Sequence, residues 1–171
     1  ERNMSLIENL PENYNTLSPV SFRFDIRRLP NVSYFCQSAT LPGLTMTEAE
    51  RPTPFITQFV PGDKLEIDQL SISFLVDEKL ESWREIYEWI KRLGPMNNDS
   101  QEIMYEDCYE STTVGQLDIM NSAYQPSFSL KFYNMFPISL TGFSFTTTAA
   151  DAIQLQSAAT FRYSYYDVEA L

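Results

Sequence analysis

Acids are the residue type in this chain most able to do chemistry. Among 23 aspartates and glutamates, the pairs Asp77/Glu78, Glu66/Asp68 and Glu106/Asp107 lie close in sequence. Two carboxylates facing a sugar across a cleft could cleave a glycoside. With so many acids, adjacent pairs arise by chance, and nothing in their spacing specifies a cleft. Residues 97–108, NNDSQEIMYEDC, are acidic enough to suggest calcium, but the sixth position of an EF-hand loop requires glycine and here holds Glu102. Histidine is absent altogether. That removes the commonest general base, most catalytic zinc sites and any histidine pH switch. There is no G-x-S-x-G elbow, no P-loop and no G-x-G-x-x-G turn. Cys36 and Cys108 follow no metal or redox spacing, and Cys36, in YFCQSAT, reads as a buried free thiol on a strand. Asn3, Asn31 and Asn98 open N-x-[ST] triplets, which carry weight only in a secreted chain. The expectation is a protein with no catalytic, metal-binding or cofactor-binding residues.

Composition narrows the class further. A chain of 171 residues is one domain by size and can bury a real core. Twelve Phe and ten Tyr favour pleated, half-buried surfaces. Five glycines against ten prolines point to stiff loops. No apolar run approaches the length of a membrane-spanning helix. The first residues carry no basic stretch followed by an apolar one, so no secretory leader is expected. A net charge of −11 disfavours gripping nucleic acid, whose affinity comes mainly from neutralised phosphates. It does not exclude a surface that DNA passes without sticking.

The elements that would position any site are mostly strands. Residues 65–93 run from a period-2 strand, with Leu70, Ile72, Phe74 and Val76 on one face, into a period-3.6 helix. The helix should bury Leu80, Trp83, Ile86 or Tyr87, Ile90 and Leu93 and expose Glu81, Arg84, Glu88 and Lys91. Asp77 is the expected N-cap and Gly94-Pro95 the stop. Trp89 falls about 120° from Trp83 by helical geometry, at the edge of the buried stripe. It is a candidate intersubunit contact, against the plainer reading of a half-buried core residue.

Residues 1–18 read as an extended arm, and 19–171 as one β domain. Strands are expected at 20–28, 32–40, 115–121, 127–133, 138–147 and 158–167, with a turn at Leu29-Pro30-Asn31. Residues 44–62, with three prolines, read as a protruding hairpin or loop whose Phe55, Ile56, Phe59 and Val60 are too apolar for free solvent. Residues 94–113 read as a long acidic surface loop.

Several pieces in this order carry a resemblance. They are S-P-x-x-F-x-F from Ser18, F-C-Q-S-A from Phe35 leading to T-L-P-G, and D-E-x-L-E-x-W-x-x-I-Y-E-W-I from Asp77. M-F-P-I-S-L from Met135 and A-T-F-R-Y-S-Y-Y from Ala159 complete the set. Over residues 18–93 and 126–168 the chain resembles the tail-tube protein family of contractile-tailed bacteriophages, while 94–113 matches no motif of it. The resemblance implies a mainly β fold, a tail-tube-like β-barrel or β-sandwich with one flanking amphipathic α-helix. It implies a structural subunit of the virion, assembled in the host cytoplasm, in hexameric rings that stack into the inner tube. Its partners would be its own copies, the tail sheath, the baseplate and a tape-measure protein, with DNA passing through the lumen without specific binding and no membrane involved. Phe55, Ile56, Phe59, Val60 and Trp89 are then candidates for contacts between subunits or rings. Glu66, Asp68, Ser71 and Ser73 are candidates for a neutral or negative lumen wall, because each basic contact to phosphate would slow transit. A baseplate tube-initiator ring of the same fold is the nearest alternative. A monomeric ligand-binding barrel and a baseplate hydrolase are the alternatives from other classes.

Overall fold

A computed structural model describes residues 16–17, 19–94, 112–147 and 154–171. The arm expected at 1–18 and the acidic loop expected at 94–113 lie outside the described residues except at their ends.

β1 (Phe22–Ile26) forms where the alternation is cleanest, burying Phe24 and Ile26 and exposing Arg23 and Asp25. The strand expected over 32–40 is instead a short helix, α1 (Pro30–Phe35), followed by β2 (Cys36–Thr40). Pro30 at the first helical turn presets φ for a helix and lacks only an N–H that would be unpaired there anyway. Tertiary contacts then hold the turn: Val32 is buried in the core, and Asn31 Nδ2 donates to Glu85 Oε1 at 2.7 Å. β3 (Leu44–Pro52) and β4 (Thr57–Ile67) form an antiparallel hairpin. β5 (Leu70–Leu75) leads to α2 (Glu81–Leu93), and β6 (Thr113–Met120), β7 (Pro126–Leu140), β8 (Gln156–Arg162) and β9 (Tyr165–Ala170) complete the described elements.

Two antiparallel sheets share β7. One has the order β1-β6-β7-β9 and the other β2-β5-β8-β7. β7 takes the place of two expected strands, and residues 141–147 belong to none. Its first part pairs with β6 on one side and β9 on the other; from Phe136 onward it pairs with β8. The change of sheet occurs at Asn134, which adopts φ 54. Opposite it, the strand expected at 158–167 divides at Tyr163 and Ser164 into β8 and β9. Asparagine tolerates the left-handed region better than most residues, and its Nδ2 meets Ser164 Oγ at 3.2 Å across the corner. Among the described strands the sheets do not close into a barrel. They enclose one core of Phe24, Ile26, Leu70, Phe74, Phe132 and Phe161, into which α2 lays Ile86 and Trp89.

The mainly β fold with a flanking amphipathic helix is thus the one adopted, but the helix is rotated from its expected face. Its buried line is Ser82, Ile86 and Trp89, spaced four and three residues apart. Trp83, Tyr87 and Ile90 are half-buried beside that line. Leu80, expected as the first core residue, precedes the helix at φ 59 and is exposed. Asp77 caps from further upstream than expected. Its Oδ2 accepts from Glu81 N at 3.0 Å, and its Oδ1 from Ser82 N at 2.8 Å and Ser82 Oγ at 2.7 Å. The two backbone N–H groups are donors that a helix start leaves unpaired. Burial pushes the Asp77 carboxyl upward, but the Ser82 and Glu81 hydrogen bonds outweigh it and hold the group down at about 2.

Candidate assembly surfaces

The first surface is the hairpin. β3 and β4 pair with each other and with no other described strand. Thr53 shapes the tip: its N–H and its Oγ1 both donate to Ile56 O, and Ile56 N returns a bond to Oγ1. Phe55, at that tip, is 96% exposed, and Ile56, Phe59 and Val60 beside it are exposed as well. Halfway down, the register shifts between Met46 and Glu48. Thr47 Oγ1 spans the irregularity, donating to Lys64 O at 3.1 Å and accepting from Lys64 N. Such a bulge bends and twists a ribbon. Gly62 lies where a Cβ would sit 2.6 Å from the Thr47 carbonyl oxygen, so the two strands approach closely there because one residue has no side chain. Nearer the body, Leu44, Met46 and Leu65 form a second exposed apolar group on one face, with Met46 opposite Leu65. None of these three is among the contact candidates named from sequence. The period-2 spacing of Leu44 and Met46 was the available signal.

The second surface is the outer face of β2-β5-β8. Leu70, Ile72 and Phe74 point into the core, so Ser71 and Ser73 point out. The register sets Ser71 between Thr40 and Thr160, and Ser73 between Ser38 and Ala158. The Ser38 and Ser73 hydroxyls are hydrogen-bonded, and Gln156 Nε2 donates to Gln37 Oε1 at 3.0 Å. These strands present hydroxyls and amides outward, with Arg162 the charged residue at one end. The outer face of the other sheet differs. Its rows run Arg23, Asp118, Ser129, Glu169 and Asp25, Gln116, Lys131, Asp167, with Ser129 itself buried and Lys131 Nζ on Glu169 Oε2 at 2.7 Å.

The sequence-predicted residues therefore divide. Phe55, Ile56, Phe59 and Val60 share the hairpin. Ser71 and Ser73 share the hydroxyl face, joined by Ser38, Thr40 and Thr160, which the sequence reading did not single out. Glu66 and Asp68 lie at the foot of the hairpin, in a cleft of about 590 Å³ lined also by Thr40, Gly43 and Arg162. Trp89 is corrected as a contact between subunits. It is 2% exposed, packed near Phe161 with the Arg28 guanidinium 5.2 Å from its ring centre. The helix turns this residue inward and leaves Trp83, stacked on Tyr87, at the half-buried border. Cys36 is a free thiol whose half-buried position pushes its pKa up to about 11, so it remains protonated. Among the described residues no three Cys, Asp or Glu side chains group as metal ligands.

Comparison with known proteins gives these surfaces a context. The sequence model of the family described as phage tail tube protein matches residues 7–169. The tail tube terminator protein of Enterobacteria phage T4 is 30% identical over 167 residues, covering 94% of this chain and 93% of that protein. The tube-terminating cap of the anti-feeding prophage superposes with a TM-score of 0.67 at 17% identity, covering 98% of this chain and all of the other. A chain from the sheath/tube terminator of an extracellular contractile injection system, in its extended state, gives 0.64 at 17% identity, covering 92% and 100%. These two structures share the fold, whereas the family model and the T4 relative span nearly the whole sequence. The chain belongs to the phage tail tube protein family, and it is a structural protein and not an enzyme.

Proposed function

We propose that the chain is the subunit of a ring that ends the inner tube of a contractile phage tail. The observation that carries this reading is the hairpin, a ribbon that exposes two groups of apolar side chains and supplies none to the core. Exposed apolar area of this kind marks a surface for contact with another chain, where burial stabilises it. The outer edges of β1, β2 and β9 pair with no described strand, and edges of this kind join across copies when contacts close by rotation. Six copies make the ring, and the hairpins bearing Phe55, Ile56, Phe59 and Val60 reach the next ring or subunit. The hydroxyl face with Ser71 and Ser73 looks into the lumen, continued at the hairpin foot by Glu66 and Asp68. DNA crosses such a wall without counterion-releasing contacts. Sheath, baseplate and tape-measure proteins are partners of the assembled tail, which forms in the host cytoplasm before it is part of the virion. The near full-length relationship to a tube terminator favours the end of the tube over its repeating subunit or a baseplate initiator.

Labelling decides among these positions. A tagged chain, complementing its own loss and decorated with gold, is expected at the tube end away from the baseplate. Gold along the whole tube would identify the repeating subunit, gold at the baseplate the initiator, and absence from tails would overturn the proposal.

A further inference from the structure

We propose that the corner between β8 and β9 is a clamp that fixes the direction of the hairpin, with Arg162, Tyr163 and Tyr166 as its positioning residues. The inference rests on reading the hairpin as an assembly surface, and it names what aims that surface. The two legs join the body only through short links, residues 41–43 and 68–69. Three side chains from the corner donate to backbone carbonyls of both links and of the strand end between them. Tyr163 Oη meets Asp68 O at 2.8 Å, Arg162 Nη1 meets Ile67 O at 3.2 Å, and Tyr166 Oη meets Pro42 O at 3.4 Å. Asp68 N donates to Gly43 O at 3.1 Å and ties the legs together, so a hold on one is a hold on both. The space between them is tight, since a Cβ on Gly43 would lie 2.8 Å from Asp68 Oδ2.

The clamp is anchored in the core. The Tyr163 and Tyr166 rings lie 4.9 and 5.7 Å from that of Phe132, which is fully buried. A rigid path therefore runs from core to ring to hydroxyl to hairpin backbone. Carbonyls at an exposed foot could be satisfied by water, so what these donors add is direction. Direction matters because the arm is a lever. The 11 residues of β4 extend about 36 Å at roughly 3.3 Å per residue, so a swing of about 10° at the foot moves the tip by about 6 Å. The cleft at the foot, about 590 Å³, gives the legs space to swing if the donors are lost.

Spin-label distances test this on the isolated subunit. Nitroxides replace Thr57 on the hairpin and Lys91 on α2, with Cys36 and Cys108 changed to serine. The parent chain is expected to give a narrow distance distribution. Tyr163→Phe, read first because it keeps the ring, and then Tyr163→Phe with Arg162→Met and Tyr166→Phe, should widen it stepwise to about 6 Å or more. The melting temperature should stay near that of the parent. An unchanged width in folded variants overturns the clamp. A widened distribution with normal incorporation into tails leaves the clamp standing and removes the hairpin as an assembly contact, so the two readings fail separately.

Discussion

Trp89 and Trp83 make the sharpest contrast between single residues. Trp89 fills the core beside Phe161, whereas Trp83 keeps one side to Tyr87 and solvent. Trp89→Ala is expected to cost about 3–5 kcal/mol in chemical denaturation. Trp83→Ala should cost roughly half as much, because less apolar area leaves water there. Equal or reversed costs would mean the helix is turned as the sequence first indicated. Two carboxyls on this helix and its cap should give pH dependences of opposite sign. Asp77 is depressed in the folded chain, so its contribution is present above its ordinary value of 3.8 and is lost as pH falls through about 2. Glu85 is raised, first by burial, against bonds from Asn31 and Val32 that lower it, and its buried Oε2 has no hydrogen-bond partner among the described residues. Its contribution is therefore present below its ordinary value of 4.5 and is lost as pH rises through the folded value. In thermal melts across pH, Asp77→Asn should flatten the acid limb and Glu85→Gln the limb above it. A cap at Asp77 was legible because an aspartate stood between the strand and helix periods. The face of the helix was not, since Ser82 reads as polar while its hydroxyl is satisfied within the turn by Leu75 O and Asp77.

Among the elements, alternation located strands well and their ends poorly. β1 and β5 were legible because buried and exposed residues alternate along them. α1 was hidden, since Pro30-Asn31 also suits a turn, and only the contacts of Val32 and Asn31 with the body favour a helix. β7 reads as two strands in the sequence because its apolar pattern breaks near Asn134, where the chain turns from one sheet to the other without leaving the ladder. At that corner Asn134→Val should destabilise by roughly 1–2 kcal/mol, and Asn134→Gly should be nearly neutral in backbone terms. Comparable losses for both would show that the bond to Ser164, and not φ, holds the corner. On the hairpin, Phe55→Ser with Phe59→Ser should leave subunit stability within about 0.5 kcal/mol, since neither ring packs on the core. The same pair should sharply reduce incorporation into tails, measured by gold counts at the tube end. Unimpaired incorporation would dismiss the tip as a contact.

For the whole molecule, net charge was legible and its placement was not. A surplus of 11 acids describes the chain, whereas strand alternation fixes only which residues share a face. Once register joins the strands, one outer face is hydroxyl-rich and the other carries Asp25, Asp118, Asp167 and Glu169 against Arg23 and Lys131. Glu66 and Asp68 left the face of Ser71 because β4 ends in the hairpin, a break that the continuous period-2 pattern concealed. Ser71→Lys with Ser73→Lys should slow DNA ejection and steepen its salt dependence while rings still assemble, because each lysine adds a phosphate contact. Failed assembly with unchanged ejection in surviving particles would place those serines at subunit contacts instead.

β7 also makes the subunit mechanically uneven. A pull on the two ends of that strand meets the ladders to β6, β8 and β9 together. Interstrand hydrogen bonds lie across such a pull, so they are loaded side by side in shear and not opened one after another. A pull outward on the β1 or β2 edge would instead peel a sheet strand by strand. Force sent along β7 therefore passes from one sheet into the other with little give, and the subunit is a strut in that direction and a hinge in the other.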